Sequence, residues 1–383
     1  MDIAVFLLMM LAWLYAVHHY MAWHVWQGIR YVLPRVPFKA ALAMAVMMMA
    51  LMAAGFMRSR LPAGPEIRRA LSTISAWWMG IMVYGLLYCV LADLLIVPAR
   101  LFRLIPSESK GFVRFVSGML IVAMTAGTAL YGVHHADQPR RVTYDVQLEG
   151  YNAAAEMNVV MISDLHLGAE RSENRLVKIV EEINAASPDL VLIAGDFFDN
   201  DFGTIGDPEK AAELLRGLRA VHGVYACFGN HDAGSTYPQM LRFLQDSHIR
   251  LLADEAVMIA DGLYLAGRMD GSPIGGFGGQ RRKALEEILP LADTRYPVVV
   301  LDHNPAHVNE YAGETDLVLC GHTHKGQLFP GSLITRSMYT VDHGYYRRDE
   351  NSPHVIVTSG AGAWGPPMRV GTDSEINLIR LAW

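Results

Sequence analysis

Cysteine is nearly missing from this sequence, with three residues in 383: Cys89, Cys227 and Cys320. Three thiols cannot build the framework of a small secreted disulfide scaffold. Charge is scarce as well. Asp, Glu, Lys and Arg make up 18% of the chain, whereas an ordinary soluble protein carries about a quarter. With a mean hydropathy of +0.21, the chain is neither disordered nor a coiled coil. A basic surplus is lacking from residues 151–383, which hold 19 Lys+Arg against 31 Asp+Glu. Phosphate backbones recruit basic surfaces, so no nucleic-acid partner is expected there. Residues 1–150 have the opposite balance, 13 against 7, and fourteen of the 21 methionines precede residue 134. Two regions of different solvent preference, and a length suited to two domains, follow from these counts.

The N-terminal region reads as four apolar spans: Ile3 to about Trp26, Phe38 to Met57, Leu71 or Ala76 to Val97, and Gly111 to Val133. Each has about the 20 residues that a helix needs to cross a bilayer core. Short basic loops separate them, and Pro34, Pro37, Pro62, Pro65, Pro98 and Pro106 fall in those gaps, where helix ends are expected. The first span is too long and too aromatic at its end for a cleavable signal peptide. A buried soluble bundle would need a polar face on most helices, and these have none. The expectation is a multi-pass membrane protein with both termini on one side. Loops one and three together hold seven basic residues, and loop two with Arg140 and Arg141 holds six, so loop charge does not orient the chain. The start, Met1-Asp2-Ile3, lacks a positive flank and favours an extracytoplasmic side for the termini and the C-terminal domain. His18, His19, His24 and Asp93 are read as interfacial or snorkelling groups rather than ligands.

From Arg141 the pattern changes. Val142, Tyr144, Val146 and Leu148 alternate with polar residues, the period-two signature of a half-buried strand. Short apolar runs follow, each ending in a polar cluster. NVVMIS (158–163) leads to Asp164-Leu165-His166, and LVLIA (190–194) to Gly195-Asp196. VYACF (224–228) leads to Gly229-Asn230-His231-Asp232, VVVL (298–301) to Asp302-His303-Asn304, and LVLC (317–320) to Gly321-His322-Thr323-His324. Amphipathic stretches such as Leu176, Ile179, Val180 and Ile183 lie between several of them. Buried strands alternating with helices give a layered α/β fold with ligands outside the strand ends.

Taken together, Asp164, His166, Asp196, Asn230, His303, His322 and His324 are nitrogen and oxygen donors without a thiolate. The set exceeds what one tetrahedral metal takes. It suits two divalent ions sharing a bridging carboxylate, as in binuclear phosphoesterases, and the donor types fit Mn, Fe or Zn. A lone His-x-His or Gly-Asp carries little information, but five clusters in order, each after an apolar run, are specific.

Asp-x-His, Gly-Asp-x-x-Asp, Gly-Asn-His-Asp, a lone His and Gly-His-x-His in this order resemble the calcineurin-like metallophosphoesterase superfamily over residues 140–383. Ser163-Asp164-Leu165-His166-Leu167-Gly168 and Gly321-His322-Thr323-His324-Lys325-Gly326-Gln327 look most like a membrane-attached bacterial branch. Some members of that branch hydrolyse UDP-2,3-diacylglucosamine or related phosphoesters. The multi-span N-terminus is also similar to a transmembrane protein with a metallophosphoesterase domain known in animals. The resemblance implies a four-layer α/β sandwich (134–383) preceded by an all-α transmembrane domain of four helices (1–133). It further implies that Asp164, His166 and His324 hold one ion, that Asn230, His303 and His322 hold the other, and that Asp196 bridges them. A hydroxide between the ions would attack phosphorus, His231 would act as general acid for the leaving oxygen, and Asp199 would orient it. The branch usually has glycine where this chain has Lys325, and an ammonium beside the metals would alter substrate preference.

Anchoring next to the headgroups favours a phosphodiester or pyrophosphate of a lipid-linked substrate in the bilayer. The alternative is a non-catalytic domain that senses metal or phosphate on a membrane receptor, but it gives no reason to keep His231 and Asp199. A nuclease of the same superfamily is disfavoured by the acidic balance. Arg268 and Asp270 are candidates to reach the pocket, and Asp232 to support a ligand. Gly275-Gly276-Phe277-Gly278-Gly279 has the glycine density of a phosphate cradle but no Lys-Ser/Thr after it, and is read as a mobile loop. Cys227 and Cys320 are read as buried thiols.

Overall fold

The computed structural model describes residues 3–58, 61–151, 155–169, 172–259, 262–289, 296–311, 313 and 315–383. It divides into two compact units, Met1–Val133 and His134–Trp383.

In the first unit the apolar runs form helices α1 (Ile3–Val32), α2 (Phe38–Phe56), α3 (Pro65–Leu101) and α4 (Lys110–Ala136). Among the described residues, three helical segments, Phe38–Phe56, Pro65–Leu101 and Ser107–Ala136, have the length and apolar composition to cross a membrane. The helices outrun several of the spans read from the sequence. α3 begins at Pro65, where a proline at the first helical position loses no bond, and continues through Pro98 for one last turn. Small residues allow the helices to approach closely. A Cβ at Gly55 of α2 would stand 2.7 Å from the Leu71 carbonyl oxygen of α3, and Ser75 Oγ donates to the Met52 carbonyl at 3.1 Å. Polar groups pair within the unit: Trp78 Nε1 donates to buried His18 at 2.9 Å, and Asp93 accepts from Tyr20 Oη at 2.6 Å and lies 3.2 Å from His24. His18 and Asp93 thus serve helix packing.

The second unit contains two six-stranded sheets. The first runs β1 (Arg140–Gln147), β12 (Glu375–Ala382), β2 (Glu156–Ile162), β3 (Leu190–Ala194), β4 (Val224–Cys227), β5 (Arg250–Leu251). The second runs β10 (Gly344–Tyr346), β11 (His354–Val357), β9 (Leu317–Cys320), β8 (Val298–Leu301), β7 (Leu263–Gly267), β6 (Glu255–Ile259). The central strands β2, β3, β4 and β7, β8, β9 are parallel. Such strands are covered on both faces, which is why they read as unbroken Val, Ile and Leu. Side chains alternate across each strand. Val159, Met161 and Leu192 of the first sheet meet Leu301 and Leu319 of the second. Val160, Ile162, Val191 and Ile193 face α5 (Ser172–Ala185), α6 (Pro208–Arg216) and α7 (Tyr237–Asp246). On the far side of the second sheet, Val300, Val318 and Cys320 pack with Leu285, Val308 and Tyr311 from two 3₁₀ turns. The four layers are therefore helices, sheet, sheet and a thin layer of 3₁₀ turns, an α/β fold with two mixed sheets.

Candidate metal centre

Parallel strands end on the same side, so the polar clusters that follow β2, β3, β4, β8 and β9 gather at one place. Each chain segment must turn away sharply there, and the turn is made at the functional residues themselves. Asp164, His166, Asp196, His322 and His324 have φ of 55°, 46°, 53°, 73° and 49°, in the left-handed region that side-chain-bearing residues seldom adopt. Gly195 precedes Asp196 at φ 80°, and a Cβ on it would come within 2.7 Å of the Gly229 nitrogen. Only glycine allows the two loops to lie that close.

The side chains converge into two linked groups. In the first, His324 Nε2 is 3.3 Å and His166 Nε2 3.8 Å from Asp164 Oδ1, with the two ring nitrogens 3.1 Å apart. In the second, His303 Nε2 is 3.1 Å from Asp196 Oδ2, and His322 Nδ1 lies 3.3 Å from His303 Nε2 and 2.9 Å from Asn230 Oδ1. Asp196 Oδ2 also lies 3.7 Å from His166 Nε2, so one carboxylate oxygen faces both groups. Donors within 4.8 Å of one another include Asp164, His166 and His324, and again Asp196, His303 and His322. The structure thus brings together all seven candidates.

The electrostatics favour a cation among them. Burial, and repulsion among the imidazoles and Arg369, keep three histidines uncharged: His166 is lowered to about 3, His322 to about 4, and His324 well below its usual value. Burial opposes a charge on His303 too, but the Asp196 carboxylate beside it holds its pKa well above normal. Burial would raise Asp196, and the adjacent His303 and His231 hold it well below the carboxylate range. His303 Nδ1 lies 2.7 Å from the Ala194 carbonyl. A proton on Nδ1 is required there, so Nε2 is the nitrogen turned towards Asp196. With His303 held protonated, its Nε2–H donates to the Asp196 carboxylate 3.1 Å away, and a divalent metal, which this donor set suits, would take the place of that proton between them.

His231 stands above the first group. Its ring is 5.2 Å from His166 and 5.8 Å from Trp364, its backbone N–H donates to Asp196 Oδ1 at 2.9 Å, and its Nδ1 is buried without a hydrogen-bond partner among the described residues. Asp199 brings a carboxylate oxygen within 4.8 Å of ring nitrogens on both His166 and His231. Asp232 ties two loops together, accepting from Phe198 N at 3.0 Å and Gly229 N at 2.8 Å. A pocket of about 310 Å³ opens over the group, lined by Asp196, His231, His322, Thr323, His324, Gly326, Gln327 and Trp364.

Two sequence expectations are corrected, on Arg268 and on the glycine-rich loop. Lys325 stands between His324 and Gly326, which both line the pocket, and its backbone N–H donates to Thr323 Oγ1 at 3.1 Å. Arg268 turns away from the pocket: the buried guanidinium donates to the Lys283 carbonyl at 2.9 Å and Tyr311 Oη at 3.3 Å, and lies 3.6 Å from Asp254. The Gly275–Gly279 loop is pinned, because buried Phe277 packs on Phe228 and Tyr237 and Ile274 N donates to the Asn230 carbonyl at 2.9 Å. Asp270 is buried near the ligands and burial raises its pKa, but its Oδ1 is taken by Ser272 N at 2.7 Å.

Sequence reasoning missed the segment after β11. Gly360 and Gly362 pack against Asp164 and Leu165, and Gln327 holds Trp364 through paired 2.8 Å bonds. Fully buried Arg369 donates to the carbonyls of Ser359, Gly360, Gly362 and Asp373 and lies 3.2 Å from His324 Nδ1. One signal was available: HVIV followed by Thr358-Ser359-Gly360 repeats the pattern of an apolar strand ending in a polar, glycine-bearing cluster.

A family model described as calcineurin-like phosphoesterase matches residues 157–326. The chain is 32% identical over 241 residues to an uncharacterized metallophosphoesterase of Aquifex aeolicus, covering 62% of this chain and 90% of that one. It is 33% identical over 289 residues to a transmembrane protein with metallophosphoesterase domain of Danio rerio, covering 70% and 63%. A UDP-2,3-diacylglucosamine pyrophosphatase of Chlamydia trachomatis is 24% identical over 288 residues, covering 58% and 83%. The chain spans about 60% of the length of several curated relatives that it matches.

Proposed function

We propose, from the premise that the chain belongs to the calcineurin-like metallophosphoesterase family, that it is a membrane-bound, metal-dependent hydrolase of phosphoester bonds. Residues 1–133 form its multi-pass membrane domain and residues 134–383 its catalytic domain. The observation that carries this reading is the convergence of seven nitrogen and oxygen donors on two adjoining positions, with the Asp196 carboxylate facing both. Asp164, His166 and His324 would hold one divalent ion and Asn230, His303 and His322 the other. Such a pair supplies an activated water and neutralises charge on the phosphoryl oxygens. The chain's own residues do the rest. His231, at the pocket wall, gives a proton to the leaving oxygen from its ring, and the Asp199 carboxylate orients that ring. Trp364 and Gln327 shape the entrance.

The narrower proposal is a phosphodiester or pyrophosphate bond in a lipid-linked substrate. It is supported by the apolar helices in the same chain and by the likeness to a pyrophosphatase of UDP-2,3-diacylglucosamine. The test is a phosphoester screen on detergent-purified full-length protein with metal analysis of the same sample. About two divalent ions per chain, with turnover of diesters or pyrophosphates, are expected. Fully metallated protein that turns over no phosphoester overturns the reading.

A further inference from the structure

Helix α8 (Gly331–Met338) adjoins the pocket yet buries none of its side chains. Its first residue packs on Gly326, where an added Cβ would stand 2.6 Å from the Gly331 oxygen. Thr335 Oγ1 donates to Asp342 Oδ2 at 2.8 Å, and the Asp342 carbonyl accepts from Thr323 Oγ1 at 2.5 Å. These contacts fix α8 to the loop that carries His322 and His324. Its apolar side chains are left uncovered: Leu333, Ile334 and Met338 are 58%, 61% and 68% exposed, with Ile334 and Met338 four residues apart on one helical face and Leu333 at the edge of the same exposed side. Phe329, just before the helix, is 47% exposed, and Trp364 at the pocket mouth 39%. Residues 321–341 contain Lys325 and Arg336 and no Asp or Glu, within a half of the chain where acids outnumber bases.

Large apolar side chains grouped at a polar site mark an interaction surface. An apolar helical face flanked by Lys325 and Arg336, with the nearby Asp342 carboxylate engaged by Thr335 Oγ1, matches the headgroup region of an anionic bilayer, where the side chains enter the acyl boundary and the cations meet the lipid charge. The chain carries its own means of reaching such a surface, because three helices among the described residues have the length and composition to cross a membrane and only residues 137–139 separate α4 from β1. We propose that α8, with Phe329 and Trp364, docks on an anionic lipid surface, and that lipid-linked phosphoesters pass across this rim into the pocket. The second clause rests on the hydrolase reading; the docking itself does not.

The test uses full-length protein in nanodiscs of phosphatidylcholine and phosphatidylglycerol. Leu333→Cys, Met338→Cys and, as a control, Val221→Cys are each labelled with a polarity-sensitive fluorophore; the native cysteines are buried, and Val221 is an exposed apolar residue outside this surface. Lipid-borne nitroxides are expected to quench the first two labels at least about threefold more than the third. Equal quenching at all three overturns the docking. So does a label shielded from water but untouched by the nitroxides, which would mean that protein covers the face. In a second arm, Leu333→Glu with Met338→Glu lowers turnover of a lipid-linked diester at least about tenfold more than that of bis-nitrophenyl phosphate. A matched fall on both substrates overturns the access role. Wild-type protein that turns over neither substrate would overturn the hydrolase reading, with quenching still deciding the docking.

Discussion

The two units of this chain sort their side chains in opposite ways. In the helical unit the large apolar groups point outward: Leu94, Leu95 and Leu101 are exposed, whereas Ser72, Ser75 and Ala76 are buried. In the α/β unit Val, Ile and Leu fill the interior, and buried Asp and His gather where the parallel strands end. A buried polar residue therefore means different things in the two units. Ser75 is small, lets α3 approach α2 and bonds across to Met52, so it contributes packing. Asp164 and Asp196 are carboxyl groups removed from water with no Lys or Arg paired to them among the described residues, so they cost stability and contribute chemistry.

Removing the shared carboxylate sharpens this contrast most. Asp196→Ala is expected to abolish retention of both ions and to lower phosphodiester turnover on the order of a thousandfold or more. Metal analysis alongside the assay checks it, and retention of both ions would break the assignment. Next in size is His231→Ala, which touches neither ion in the proposed arrangement. It should keep the metals while turnover of an alkyl ester falls about 10²–10⁴-fold. A nitrophenyl ester, whose leaving group needs no proton, should lose far less, and equal losses on both would remove the general-acid role.

The helical unit supplies a smaller effect. Gly55→Leu places a side chain against the α3 backbone and should cost about 1–3 kcal/mol in detergent unfolding. Leu95→Ala, at a 74% exposed position, should change it by less than about 0.5 kcal/mol. The reverse order would undo the contrast between the units.

The smallest effect concerns acid stability. Burial pushes Glu375 up, but His343 Nε2 at 2.8 Å and the Ser359 N–H hold its pKa below the ordinary value. A carboxylate with a depressed folded pKa adds stability that is fully present above its unfolded pKa, about 4.3. That contribution is lost as pH falls through the folded value. Glu375→Gln should therefore flatten the decline of melting temperature below about pH 4.3. Parallel curves for the two proteins would show that Glu375 has no part in acid unfolding.

Much of this was legible because the informative signals are local. Apolar runs of four to six residues ending in Asp, His or Gly mark strand ends without reference to the rest of the chain, and LVLIA and LVLC became β3 and β9 with the bounds read from them. Arg268 was misjudged for the complementary reason. Like Asp164 it follows a strand, but its guanidinium finds Asp254, Lys283 and Tyr311 instead of the pocket, and those partners are 14 or more residues away in sequence. Arg369 and Trp364 went unseen because they reach the site from a loop about 40 residues beyond His324.

By itself the sequence determined the apolar helices, the alternation of strand and helix, and the order of the donor clusters, since hydrophobic periodicity and glycine placement act over a few residues at a time. Tertiary structure alone decided which oxygen of Asp196 faces both groups of donors, that Arg369 lies behind His324, and that α8 is left with its apolar face uncovered. These are properties of distance and burial between segments far apart in the chain, and they arise only when the two sheets close on each other and bring the strand ends together.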